Sequence, residues 1–348
     1  MVAVSSRGGT IGACALLSLC CGCGGEVEGT QAAREIAPSA CAGAITRRPV
    51  VLRSDLSGGK VLVGSDYLIL FGSDGVVLRL DRCTGAEQVL ASGINAHSSV
   101  LLADYAWFSP GGVDQYGIFR VPVSGGAVER VVADVSGYPT LRAHDATLYY
   151  LSGKSVNSPG WPVFALDSGQ TEPTQLATLE TQPYVHLAGV SDAGLYFTAD
   201  YDCFCTPPLR RLPFFATELV PVPGAEGGGG RGAISVAIAG EHLYVRYKGQ
   251  IDRLPLVGGQ PELVVPFGTS GEGLVHFEAT DRSVCWVAYE GLEVSARCAD
   301  LGDPSRTVRE LDRFESGDGI SFGLAPDAAY WVRPSTQSGF YELVAAAL

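Results

Sequence analysis

A short pattern repeats seven times along the 348-residue chain, and this repeat limits the folds that the chain can adopt. In every copy a turn-forming residue is followed, within a few positions, by adjacent apolar or aromatic residues. Successive copies are separated by 38, 41, 47, 48, 41 and 46 residues. Such regular spacing predicts a body built from repeated structural units. The copies begin at Asp66, Asp104, Asp145, Asp192, Gly240, Asp281 and Asp327.

Each unit has room for four short strands joined by tight turns. A unit of about 40–50 residues that holds four strands is typical of a β-propeller blade. The 45 glycines and 20 prolines of the chain favour many turns over long helices. We therefore predict an all-β fold, a seven-bladed β-propeller of four-stranded antiparallel blades, with six or eight blades as alternatives.

The third strand of the unit is clearest in two nearly matching segments, residues 118–123 and 251–256. Each segment contains one proline, Pro122 or Pro255. Because a proline has no N–H to give to a strand ladder, the strand is predicted to bulge or to end there.

The two ends of the repeat region complement each other. Blade seven offers a first strand near residues 320–325, a second at 328–333 and a third at 340–343, with little chain left for a fourth. Residues 45–53 form an orphan strand before blade one. We predict that this N-terminal strand completes blade seven, because closing the ring removes an exposed sheet edge.

The Asp-x-x-Leu-Tyr and Ile-x-Arg-x-x-x-Gly-Gly segments resemble the blades of YWTD/NHL-type and TolB-like propellers, and most of all secreted bacterial propellers without an assigned function. The resemblance covers residues 45–348 and implies the architecture. The Thr-Asp tail of the YWTD repeat is absent, since Tyr149 is followed by Tyr150 and Leu151. The resemblance therefore does not imply a receptor-type function.

The N-terminal segment is typical of a secretion signal. Arg7 is the only charged residue before an apolar run at residues 11–21, which is too short to span a bilayer. We assign residues 1–23 to the signal segment, 24–42 to a flexible tether, and 43–348 to one propeller domain. This predicts an extracytoplasmic protein, either secreted or held in the bacterial cell envelope.

Cysteines at the end of the apolar run resemble the lipidation site of a bacterial lipoprotein precursor. The pattern has a leucine three positions before the modified cysteine and a small residue directly before it. Cys20 has Leu17 at the first position, whereas Cys23 has Gly22 at the second. The resemblance implies a lipid anchor on Cys20 or Cys23, and an ordinary cleaved signal is the alternative.

Six further cysteines are candidates for disulfides, as expected in a secreted chain. Cys285 and Cys298 flank a predicted hairpin and could face each other across two strands. Cys41 and Cys83 could be joined if ring closure brings the N-terminus to blade one. Cys203 and Cys205 could form a local bridge or one bridge outward.

Charge and motifs narrow the function classes. The net charge of −13 argues against nucleic-acid binding, which requires a basic face. The segment from Gly319 to Gly323 spells G-x-S-x-G, but it lies in a predicted strand without the helix that a nucleophile elbow needs. We therefore expect a non-enzymatic, monomeric module without a cofactor, which binds a protein, peptide or glycan.

Three histidines support an alternative function, a propeller hydrolase or lyase with a divalent metal in the channel. His97, His186 and His276 lie seven, six and five residues before the turn aspartates of blades two, four and six. Imidazoles that converge on one channel could ligate a transition metal. His144 and His242 lie at turns between first and second strands and are expected to be merely solvated.

Replacing Cys20 and Cys23 by serine, one at a time, identifies the lipidated residue. We expect one of the two changes to move the protein from the membrane fraction to the soluble fraction, since the diacyl chain supplies the anchor. Membrane fractionation of the expressed protein measures this shift. If neither change releases the protein, the lipoprotein prediction is wrong.

Overall fold

The computed structural model describes the repeat region as seven antiparallel sheets of four strands each, which form a seven-bladed β-propeller. This confirms the predicted fold class and blade count. Within the described part of the chain, no helix is long and apolar enough to cross a membrane. The described residues are 45, 47–111, 116–133, 135, 137–153, 160–179, 184–200, 209–225, 235–247, 249–266, 273–317, 320–337 and 339–348.

The strands are numbered β1 to β28 along the chain, and each has one of four positions in its blade. The first, innermost strands are β2 (Gly59–Val63), β6 (Ala96–Leu102), β10 (Thr140–His144), β14 (Tyr184–Ser191), β18 (Ser235–Ala239), β22 (Gly273–Ala279) and β26 (Ser321–Leu324). The second strands are β3 (Tyr67–Gly72), β7 (Tyr105–Pro110), β11 (Thr147–Leu151), β15 (Gly194–Asp200), β19 (His242–Tyr247), β23 (Ser283–Glu290) and β27 (Ala328–Pro334).

The outer half of each blade follows the same order. The third strands are β4 (Val77–Asp81), β8 (Ile118–Pro122), β12 (Trp161–Asp167), β16 (Arg210–Leu212), β20 (Gln250–Pro255), β24 (Glu293–Asp300) and β28 (Tyr341–Ala347). The fourth strands are β5 (Glu87–Ala91), β9 (Glu129–Val132), β13 (Thr174–Leu179), β17 (Val220–Pro221), β21 (Glu262–Pro266), β25 (Val308–Glu315) and, for blade seven, β1 (Val50–Leu56).

The repeated turn residues connect the first and second strands, as the pattern predicts. Two of these residues have a backbone in the left-handed region, with φ of 51° at Asp145 and 52° at Gly240. Aspartate and glycine tolerate this conformation better than most residues. The two prolines end their strands, because β8 stops at Pro122 and β20 stops at Pro255.

The aromatic positions of the second strands form the core between blades. The fully buried side chains include Trp107, Tyr196, Tyr244, Trp286 and Trp331. Tyr244 of blade five and Trp286 of blade six belong to one apolar cluster, so these rings fill the space between neighbouring sheets. Aromatic side chains bury large areas, and their burial here supplies the main attraction between blades.

The innermost strands form a closed ring, in which each first strand contacts the next and β26 contacts β2. Side chains also join neighbouring first strands to one another. The Val61 N–H donates to Ser321 Oγ at 3.0 Å, and the Leu141 N–H donates to Ser98 Oγ at 3.0 Å. Ser321, the serine of the G-x-S-x-G segment, is therefore buried and connects blade seven to blade one through this hydrogen bond.

The N-terminal strand closes the ring. β1 pairs antiparallel with β28, from Val50 opposite Ala345 to Leu56 opposite Tyr341. Blade seven thus takes three strands from the C-terminal end of the chain and one from near its start. The predicted closure is confirmed, although the pairing begins at residue 50 and continues beyond the predicted residue 53.

Arg82 strengthens this closure at the junction of blades one and seven. Its guanidinium is fully buried and lies 2.7 Å from Asp327 Oδ1, whose side chain is 16% exposed. It also donates to the Tyr330 hydroxyl at 2.6 Å and to the Ser65 carbonyl at 2.7 Å. Burial raises the pKa of Tyr330 to about 12, so the hydroxyl stays neutral near pH 7.

One disulfide joins β23 to β24, between Cys285 and Cys298. The two residues are directly opposite each other in the strand register, which is why the bridge fits between neighbouring strands. Cys83 is also disulfide-bonded. The proposed Cys41–Cys83 bridge stays a prediction, because Cys41 lies outside the described residues, as do Cys20, Cys23, Cys203 and Cys205.

Replacing Arg82 by methionine should destabilise the propeller by about 3–5 kcal/mol, because Asp327 would keep a mostly buried charge without its partner. Urea unfolding measures this loss. Arg313→Met is the control: its ion pairs with Glu293 and Glu310 are well exposed, and its unfolding midpoint should stay close to that of the original protein. Equal losses in both variants would contradict the role of Arg82.

Replacing Cys285 and Cys298 together by alanine should lower the free energy of unfolding by about 3 kcal/mol, since the bridge closes a loop with a sequence separation of 13. Thermal melting under oxidising conditions measures the effect. A double variant that melts at the temperature of the original protein would show that the bridge adds no stability.

Candidate functional site

The hairpin turns between first and second strands meet around one mouth of the central channel. Their positions follow from the fold, because all seven blades present the same antiparallel strand order to the inner ring. Contacts between neighbouring turns confirm the arrangement. His144 of blade three reaches Asp192 of blade four, and an ideal Cβ added to Gly240 of blade five would lie 2.4 Å from Asp281 Oδ1 of blade six.

Each of these turns carries one acidic residue, and we call the set the carboxylate ring. Six of its members are exposed, and Asp327 is largely buried, with its side chain 16% exposed. Turn geometry alone accounts for the aspartates in the sequence, and only the closed ring gathers them at one mouth. The sequence does contain a sign of this acidic set, because the one turn that has glycine instead of aspartate, at Gly240, has an acidic residue, Glu241, in the next position. The members are Asp66, Asp104, Asp145, Asp192, Glu241, Asp281 and Asp327.

The turns between third and fourth strands lie at the same end of the blades and add further negative charge. Asp81 accepts hydrogen bonds from the Thr84 backbone and hydroxyl, which lower the pKa of its carboxyl. The Ser305 hydroxyl and backbone likewise lower the pKa of Asp303. Both groups are therefore ionised at neutral pH and reinforce the negative potential of this face.

The arginines described at this end lie mostly on the outer strands and outer turns of the blades. Arg47 and Arg48 are exposed directly before β1, and Arg120 is paired with Glu129. Arg82 is already bound to Asp327, and Arg306 is bound to Glu262. Arg282 is exposed beside Asp281. One mouth of the channel is thus strongly acidic, on a rigid frame whose turns extend directly from buried strands.

His144 differs from the solvated residue that the sequence predicts. Its Nε2 lies 2.8 Å from Asp192 Oδ1 and 3.8 Å from Asp145 Oδ2, and its side chain is only 15% exposed. The partner at 2.8 Å is 48 residues away in sequence, so no local pattern could have revealed the contact. His144 therefore joins blades three and four within the carboxylate ring. His242 is also part-buried, and burial lowers the pKa of its imidazole.

The other three histidines do not form the group that a shared metal requires. Within the described ranges, the one set of three metal-ligating side chains whose ligand atoms all lie within 4.8 Å of one another is His144, Asp145 and Asp192.

Two of these histidines lie beside aromatic rings on the side of the next blade. The His276 ring lies 6.2 Å from that of Phe322 in blade seven, and the His97 ring lies 5.1 Å from that of Tyr138, directly before blade three. Sequence offsets alone could not show this orientation.

Arg246 is a second residue that sequence reasoning missed. It lies near the end of β19 that is far from the acidic mouth, and burial lowers the pKa of its guanidinium to about 10. It therefore remains charged at neutral pH. Counted from the turn residue, the corresponding positions of blades three and six hold Leu151 and Val287, whereas blade seven has Arg333.

Comparison with known proteins shows the fold and no family. No protein-family model matches the chain, and no curated protein matches it. Among solved structures, a prolyl endopeptidase has a TM-score of 0.59 and 14% identity over 86% of this chain and 50% of that one. The chain thus spans half the length of that enzyme. At this level of identity the likeness concerns architecture alone.

Two further solved propellers are similar. The β-propeller domain of the Trilobed protease from Pyrococcus furiosus, described as having an open velcro topology, has a TM-score of 0.55 and 8% identity over 81% of this chain and 91% of that one. BamB from Moraxella catarrhalis has a TM-score of 0.48 and 14% identity over 83% of this chain and 85% of that one. The present ring differs from an open one, because β1 and β28 are paired.

Proposed function

We propose that this protein is a non-enzymatic binding module that holds a basic segment of a protein or peptide at the carboxylate ring. The observation that carries the proposal is the gathering of seven acidic turn residues at one mouth of the channel, where six of them are exposed and only Asp327 is paired with a buried arginine. Complementary charge at an interface speeds association and selects partners. A basic segment is the partner chemistry that this face fits.

The rigidity of the turns supports this function. Each acidic turn joins two strands that pack in the core, such as β18 with Ile238 and β19 with Leu243, whose side chains are buried. A charged group on such a frame loses little conformational freedom when a partner binds. The ring therefore suits repeated, reversible contacts with cationic side chains.

A glycan is less well supported than a peptide. Sugar binding in proteins uses exposed aromatic faces, and the aromatic positions of the second strands are buried between blades. The exposed aromatic residues of the described chain are spread over different blades. They are Tyr116, Tyr138, Phe215 and Phe340.

The proposed location comes from the sequence. The signal segment and the lipoprotein-like cysteines Cys20 and Cys23 favour an extracytoplasmic module tethered to a membrane through a lipid anchor. A tether at residues 24–42 would leave the propeller free to meet a partner. Nucleic acid is a poor partner, since its phosphates would be repelled by the acidic mouth.

The test is binding of a defined basic peptide, for example a labelled nonapeptide of alternating arginine and glycine, at two salt concentrations. Neutralising three ring members, Asp66→Asn, Asp104→Asn and Asp281→Asn together, should weaken binding about tenfold, because exposed ion pairs contribute about 0.2–1 kcal/mol each. Raising the salt from 50 to 300 mM should weaken binding by the original protein more than by the variant. Fluorescence anisotropy measures both effects.

The matched control removes the same charge from exposed positions outside the carboxylate ring. We expect Asp74→Asn, Glu293→Gln and Glu315→Gln together, which lie at the opposite end of the blades, to bind the peptide nearly as well as the original protein. Equal weakening in both triple variants would mean that net charge alone attracts the peptide. That result, or binding that is independent of salt, would contradict a docking site at the ring.

A further inference from the structure

We propose that His144, Asp145 and Asp192 hold a divalent transition-metal ion of the Zn²⁺ class between blades three and four. This site goes beyond the proposed peptide binding, because it adds a specific ion to one sector of the carboxylate ring. It also differs from the channel site that His97, His186 and His276 suggested in sequence.

The fold brings the three ligands together from two hairpins. His144 is the last residue of β10 and Asp145 is the first residue of the turn that follows it. Asp192 directly follows β14, at the matching turn of the next blade. Because β10 and β14 contact each other in the inner ring, the positions of the two turns are fixed by the core.

The distances suit a tetrahedral ion. Two ligand atoms that are each about 2.0 Å from a tetrahedral Zn²⁺ lie about 3.3 Å apart. The observed separations from His144 Nε2, 2.8 Å to Asp192 Oδ1 and 3.8 Å to Asp145 Oδ2, fall on either side of this value. All three ligand atoms lie within 4.8 Å of one another. Small rotations of the two exposed carboxylates would equalise the distances.

The donor set selects the class of ion. One imidazole nitrogen with two carboxylate oxygens suits zinc and its first-row neighbours, whereas calcium and magnesium prefer sites made of oxygen alone. The geometry also separates this sector from the other described turns of the ring. His242 lies near Glu241 and Asp281, but among the described residues only His144, Asp145 and Asp192 bring three ligand atoms within 4.8 Å of one another. Selectivity for Zn²⁺ over Ca²⁺ is therefore expected only here.

The surroundings favour an ion with open coordination positions. The His144 side chain is 15% exposed, so the nitrogen ligand is held by its environment, whereas the side chains of Asp145 and Asp192 are 84% and 89% exposed. Three protein ligands leave at least one position for water or for a group from a partner. The remaining carboxylates of the ring raise the local concentration of cations.

The alternative explanation is a plain ion pair, in which His144 and Asp192 attract each other without a metal. An ion pair and a metal site respond differently to added metal. An ion pair gains nothing from Zn²⁺, whereas a metal site binds it in a one-to-one ratio and becomes more resistant to heat.

The test is titration of the full chain with Zn²⁺ after chelator treatment, followed by calorimetry and by thermal melting. We expect one Zn²⁺ per chain, a higher melting temperature with Zn²⁺, and no such rise with Ca²⁺ at the same concentration. His144→Ala and Asp192→Asn should each weaken Zn²⁺ binding at least tenfold and abolish the rise. In the Co²⁺-substituted protein, His144→Ala should also remove the visible absorption band of a four-coordinate site.

Two matched variants serve as controls. Asp104→Asn neutralises the corresponding turn of blade two, and His242→Ala removes the part-buried histidine of the blade-five hairpin. Both should bind Zn²⁺ like the original protein. The proposal is overturned if the original protein binds no Zn²⁺, if Ca²⁺ competes equally, or if a control variant loses as much affinity as His144→Ala. None of these results bears on peptide binding, which the triple variants test separately.

Discussion

The pairing of β1 with β28 is the constraint on which the rest of this propeller depends. Each blade buries both of its faces against its neighbours. Blades one and seven also share an apolar core, so their contact stabilises the ring as the contacts between other adjacent blades do. Strand pairing alone does not complete this junction. Arg82 of blade one lies buried against Asp327 and Tyr330 of blade seven, and its hydrogen bonds fix the last contact of the ring.

Closure also creates the site. A single hairpin with an acidic turn has no special chemistry, but seven such hairpins in a closed ring place their turns around one mouth. Side chains of one turn then contact the turn of the neighbouring blade, as His144 contacts Asp192 and Asp281 approaches Gly240. Residues that make tight turns in the separate blades thus become, together, a concentrated negative surface. The same acidic residues therefore both form the turns and give this surface its negative charge.

Much of the architecture could be predicted because it repeats. Seven similar turns gave the blade count, the missing fourth strand of blade seven indicated closure, and Pro122 and Pro255 marked strand ends. The site was harder to predict because its contacts do not repeat. His97 and His276 looked equivalent by their distance from a turn, yet each lies beside an aromatic ring on the side of the next blade. His144 looked solvated, since its partner belongs to another repeat.

The sequence by itself determined the four-stranded blade, the number of blades and the way in which the ring closes. The reason is that periodic burial and turn residues act locally and recur in every repeat. Only the tertiary structure decided which side chains meet. Asp192 is 48 residues from His144, and Tyr330 is 248 residues from Arg82. Such pairs are set by the curvature of the ring and by which face of a strand each residue occupies. The order of residues in the sequence specifies neither the curvature of the ring nor the strand face that each of these residues occupies.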